Sequence, residues 1–131
     1  MSIDCILVVE DAEVVRMMAV MVLERAGYRV VQARDGQEGL ERATLGDIDL
    51  VVTDQEMPRM DGLTLARSLR GLPGHEHIPI LMITAEADSA FAQSARSAGI
   101  DKILKKPVGA ATLMATVATL AGARTPRLAS A

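Results

Sequence analysis

Aromatic residues are almost missing. Tyr28 and Phe91 are the only two in 131 positions, and tryptophan is absent. A core must therefore be aliphatic, filled by Val, Leu, Ile, Ala and Met, in a chain that is half hydrophobic. Cysteine occurs once, at Cys5, which excludes an internal disulfide and fits a reducing compartment. Positive charge is in the minority, with 14 Lys and Arg against 17 Asp and Glu and a net charge of −3. No basic footprint for nucleic acid is present. No apolar run approaches the roughly 18 residues of a membrane span, so no membrane association is expected. Asp4 and Glu10 interrupt the only N-terminal apolar run, so no signal peptide is read. What remains is a chain of single-domain length, expected in the cytoplasm and able to bury roughly two-thirds of its unfolded surface.

Short apolar runs alternate with helical patterns. The runs are CILVV (Cys5 to Val9), the more polar YRVVQA (Tyr28 to Ala33), IDLVV (Ile48 to Val52), IPILMI (Ile78 to Ile83) and DKIL (Asp101 to Leu104). Runs apolar on both faces suit parallel strands covered by helices on both sides. The polar second run is expected near an edge. Helices are expected over Ala12 to Ala26, Asp35 to Leu45, Leu63 to Leu69, Asp88 to Ala98 and about Ala110 to Ala121. Gly27, Gly46 and Gly99 stand where three of them should stop. The expected fold class is α/β: a single-domain, five-stranded, doubly wound parallel sheet of (βα)5 flavodoxin-like form, over residues 1–122. The small-residue stretch at 123–131 is expected to be a flexible tail or linker stub.

In open α/β sheets ligands sit at the carboxyl ends of strands. The first run ends in Glu10-Asp11, the third in Thr53-Asp54, the fourth in Thr84-Ala85 and the fifth in Lys105-Lys106-Pro107. Three carboxylates, a hydroxyl and one or two ammonium groups converge there. A phosphate site wants glycines and free amides after the first strand, whereas this chain has two acids and no GxGxxG. At an effective dielectric of ~20, two like charges ~4 Å apart repel by about 4 kcal/mol. A hard cation relieves this, and Mg²⁺ (or Mn²⁺) takes such oxygen ligands together with waters and phosphate oxygens. The chemistry suggested is phosphoryl transfer with Asp54 as acceptor. The His75-Glu76-His77 triplet lies in a connection at the opposite strand ends and reads as a solvated loop. Cys5 reads as a small core residue.

The set E-D, D-x-x-M-P-x-M-D-G, T-A and K-P, in order at four strand ends, resembles the receiver (CheY-like) domain of bacterial two-component response regulators, over about Ile3 to Gly122. The resemblance implies a phosphoacceptor in a phosphorelay, not an enzyme, that assists its own phosphorylation and dephosphorylation. Asp54 would take a phosphoryl group from a phosphohistidine on a sensor histidine kinase or histidine phosphotransferase. Mg²⁺ would be held by Asp11 and Asp54, by the backbone carbonyl of Glu56, and by Glu10 through a water. Thr84 would hydrogen-bond the phosphoryl oxygen and Lys106 would pair with it. A cis Lys106-Pro107 bond is implied as well. A downstream effector protein would read the change.

Two features stand apart from that pattern. The first helix, VVRMMAVMVL, is apolar on more than one face, so Val14, Val15, Met18 and Met21 are expected to supply exposed surface on which the phosphodonor docks. The fifth strand carries Ile103 where the family usually has an aromatic that swings as the threonine moves. The switch through Thr84 and Ile103 is therefore expected to rely on backbone and helix shifts. A stand-alone receiver is the favoured reading. The alternatives are a small aspartyl-phosphate phosphatase, with Glu56 at the offset of its general acid–base, and a receiver-fold scaffold that is not phosphorylated.

Overall fold

Strands covered on both faces have to be apolar on both sides. CILVV and the first three residues of LVVTD meet that demand, and both strands are buried at every position. The computed structural model describes residues 3–130, with side chains described through residue 122. Its elements alternate throughout: β1 (Cys5–Val9), α1 (Glu13–Arg25), β2 (Arg29–Ala33), α2 (Gly36–Leu45), β3 (Leu50–Asp54), α3 (Gly62–Arg70), β4 (Ile80–Thr84), α4 (Ser89–Ser97), β5 (Lys102–Lys105) and α5 (Ala110–Ser130). The five strands form one parallel sheet in the order β2-β1-β3-β4-β5. The polar second run thus sits at an edge, as its composition suggests.

The two sheet faces bury separate aliphatic layers. Leu7, Val9, Val51, Ile80 and Met82 face α2, α3 and α4, meeting Ala43, Leu65, Leu69 and Ala95. Ile6, Val8, Leu50, Val52 and Leu81 face α1 and α5, meeting Val20, Leu23, Leu113 and Val117. Each fully buried Leu or Ile contributes about 1.5–3 kcal/mol of transfer free energy. Asp35, Asp61 and Asp88 cap α2, α3 and α4, their carboxylates accepting from the N–H groups of Glu38, Thr64 and Phe91. Gly27 and Gly99 close α1 and α4 at φ 101° and 92°, which a side chain would resist.

Most boundaries differ from the sequence reading by one residue, and three elements differ by more. β3 runs on through Thr53 and Asp54, whose pairing partners on β4 are Met82 and Ile83. β4 begins only at Ile80 because Pro79 has no N–H to give the ladder, although its carbonyl accepts from Val51. α5 continues past Ala121, where the reading ended it, since a lone Gly122 among alanines costs only about 1 kcal/mol of helix propensity. The side chains of 123–131, and with them the expected flexible tail, lie outside the described residues.

Candidate functional site

The strand order reverses between β1 and β3, because α1 leaves toward one face and α3 toward the other. A crevice opens at the carboxyl ends there. Glu10 and Asp11 follow β1, Asp54 is the last residue of β3, and Thr84 is the last of β4. Lys106 follows β5, and its bond to Pro107 is cis. Carboxylate oxygens of Glu10, Asp11 and Asp54 all lie within 4.8 Å of one another. Asp54 and Glu10 are only 4% and 7% exposed, whereas Asp11 faces solvent. Lys106 Nζ donates to Asp54 Oδ2 at 3.1 Å and stands 3.1 Å from Oδ1 and 4.0 Å from Glu10 Oε1.

This crowding shows in the protonation equilibria. Burial, with the Asp54 charge adding to it, pushes the Glu10 carboxyl up to about 7, although the Ala12 N–H on Oε2 pulls the other way. Partial burial pulls the Lys106 ammonium down. The hydrogen bond and charge of Asp54, with Glu10 and Glu56 behind, outweigh that and hold it above its ordinary value. One ammonium cannot neutralise three carboxylates. The donor set is all hard oxygen and partly buried, which fits a divalent cation such as Mg²⁺.

Supporting contacts hold each group in place. Arg16, 8% exposed on α1, donates from Nη1 to the Glu10 carbonyl at 2.9 Å and from Nε to Gln32 Oε1 on β2 at 3.1 Å. The loop after β3 is pinned by Gln55, whose side chain accepts from Leu63 N–H and donates to Asp61. Arg59, at φ 69°, pairs with Asp35 and ties that loop to the start of α2. Gly62 lies so close to β3 that an added Cβ would stand 2.5 Å from the Asp54 carbonyl oxygen. Thr84, wholly buried, donates its hydroxyl proton to Glu56 Oε2 at 3.0 Å. A cavity of about 350 Å³ reaches from Asp54 and Lys106 between α1 and the start of α5, with mostly aliphatic walls.

The family model for the response regulator receiver domain matches residues 6–118. The chain belongs to the receiver-domain family. Chemotaxis protein CheY-3 of Vibrio cholerae is 39% identical over 109 residues, covering 82% of this chain and 84% of that protein. Among solved structures, CheY4 of Vibrio cholerae superposes with a TM-score of 0.87 at 31% identity, covering 91% of this chain and 99% of the other. The receiver domain of sensor histidine kinase PA1611 from Pseudomonas aeruginosa superposes with a TM-score of 0.83 at 28% identity, covering 91% and 98%. That structure has a magnesium ion coordinated in its active-site cleft. The chain is accordingly a phosphoacceptor signalling domain of the two-component kind.

The receiver domain brings Glu10, Asp11, Asp54 and Lys106 together as the strand-end reading expects. Thr84 and Glu56 adjoin them, but through a mutual side-chain bond that the reading did not foresee. Among the described residues, the acid trio is the only cluster able to hold a metal. The His75–His77 stretch is not part of one; the His75 ring nitrogens sit 3.2 and 3.1 Å from the carbonyl oxygens of Pro73 and Ala43. Val14, Val15, Met18 and Met21 are 70%, 50%, 63% and 51% exposed, and Met17 joins them at 53%. Ile103 is half-buried in β5 beside Met82. Arg16 was not picked out from sequence, although one arginine inside an apolar helix was a signal in plain view.

Proposed function

We propose that Asp54 is the phosphoacceptor, with Glu10, Asp11, Thr84 and Lys106 serving it. The observation that carries this is the buried Asp54 carboxylate at a strand tip, within 4.8 Å of two further carboxylates and 3.1 Å from the Lys106 ammonium. An oxygen of Asp54 attacks phosphorus, the P–N bond to the donor imidazole breaks, and the ring nitrogen keeps the electron pair. The product is an acyl phosphate on Asp54. The rigid strand fixes the attacking oxygen, and Lys106 offers a positive charge beside the oxygens of the incoming group. Mg²⁺ or Mn²⁺, held by Asp11, Asp54 and the Glu56 carbonyl, and by Glu10 through water, would neutralise charge as the group arrives. The same groups serve hydrolysis, so the domain assists its own dephosphorylation without acting on other substrates.

The donor is a sensor histidine kinase or histidine phosphotransferase in the cytoplasm. Its docking face is Val14, Val15, Met18 and Met21, beside the cavity that opens on Asp54. A downstream protein reads the outcome. The test is intact-mass measurement after incubation with Mg²⁺ and acetyl phosphate. Wild type should gain one phosphoryl group, labile to base and hydroxylamine, and Asp54→Asn should gain none. Unchanged labelling of Asp54→Asn would remove the assignment. Steady turnover of a generic phosphomonoester would point to a phosphatase instead.

A further inference from the structure

Thr84 has no exposed surface, and its hydroxyl already has two partners. It accepts from the Glu86 N–H at 3.1 Å and donates to Glu56 Oε2 at 3.0 Å. A hydroxyl has one proton to give. A phosphoryl oxygen on Asp54 can therefore receive that proton only if Glu56 gives it up. Glu56 follows Asp54 by two residues and is exposed, so its carboxylate hydrates once released and leaves no buried unpaired charge. The exchange is reversible for that reason.

We infer that Glu56 is a positioning residue that holds the Thr84 hydroxyl in the resting domain and competes with the phosphoryl group for it. This rests on Asp54 as phosphoacceptor and adds what sets the ease of switching. The charge of Glu56 also contributes to the field at Lys106, so a test must separate hydrogen bonding from charge.

The probe is beryllofluoride with Mg²⁺, a stand-in for the phosphoryl group, with binding followed through amide NMR shifts. Glu56→Ala should bind it about tenfold more tightly than wild type, the scale of one charge-assisted hydrogen bond. In a Thr84→Ala background the same substitution should change binding less than about twofold, because the competitor then has nothing to hold. If Thr84→Ala does not fold, Thr84→Val preserves the shape and replaces it. Glu56→Gln keeps an acceptor without the charge, and its weaker neutral hydrogen bond should place it between wild type and Glu56→Ala. Equal gains in both backgrounds, or Gln behaving like Ala, would mean that charge alone acts and would overturn the inference. A second arm needs no phosphoryl group. In the resting protein, Glu56→Ala should move the amide resonances of Thr84 and Glu86, and unmoved resonances refute the contact. If wild type and Asp54→Asn bind beryllofluoride equally poorly, the Asp54 assignment fails while this arm still decides the role of Glu56.

Discussion

Gly62→Ala tests how tightly the acceptor strand is wedged. The new Cβ would stand 2.5 Å from the Asp54 carbonyl oxygen and 2.7 Å from Met82 Cε, against 3.4–4 Å for ordinary contact. The methionine tip can swing away. The backbone oxygen cannot move without shifting β3 and its last residue. Overpacking of this kind costs about 1–3 kcal/mol, and the gain in helix propensity from Gly to Ala offsets less than about 1 kcal/mol. A net loss of about 2 kcal/mol is expected, which lowers the melting temperature by about 7 °C in a domain of this size. Labelling by acetyl phosphate, measured well below the transition, should slow as well, because the displaced oxygen belongs to Asp54. Gly46→Ala is the control. Its Cβ would meet only the Arg42 carbonyl at 3.9 Å, so it should stay within about 0.5 kcal/mol of wild type. Urea unfolding with equal m-values reads both. If Gly62→Ala matches Gly46→Ala in stability and labelling, the wedge argument is wrong.

Glu10 gives a pH prediction. Its folded-state value, about 7, lies above the unfolded 4.5, so the stability associated with its proton is complete below about 4.5 and is lost as pH rises through 7. In EDTA, wild type should lose up to about 3 kcal/mol relative to Glu10→Gln between pH 4.5 and 8, and parallel pH profiles would contradict the burial argument. Arg16→Met should lower stability by about 1–3 kcal/mol, because it leaves the buried Glu10 carbonyl without its donor. Mg²⁺ affinity should weaken with it, and a titration at fixed pH that is unchanged would limit Arg16 to packing. Met18→Glu should block transfer from a phosphohistidine protein while leaving acetyl phosphate labelling intact, and loss of both would place the residue outside any docking role.

Much of the sheet was legible because a parallel strand needs apolar residues on both faces, and CILVV could hardly be anything else. The apolar run was bounded at Val52, with Thr53-Asp54 read as the polar tip at its end, since polarity normally marks an end. The ladder runs through both because the ligand crevice tolerates a polar tip. The acids and Lys106 were legible for a related reason: topology brings strand ends together, so position along a strand is nearly position in space. Arg16 on Glu10, Glu56 on Thr84 and Arg59 on Asp35 were not, because such pairs depend on side-chain direction across elements that sequence spacing leaves open.

The place of β1 in the sheet also bears on how the chain is made. β1 lies between β2 and β3, so one of its hydrogen-bonding edges waits for Leu50 and its neighbours, some 44 residues after Ile6. At ribosomal speeds of about 5–20 residues per second, that edge stays bare for about 2–9 s. During that interval CILVV can pair with β2 alone, as a two-stranded ribbon whose apolar faces are covered only by α1 and α2. A nascent chain stalled before β3 should therefore engage holdase chaperones strongly, and release from them should coincide with the emergence of the strand that carries Asp54.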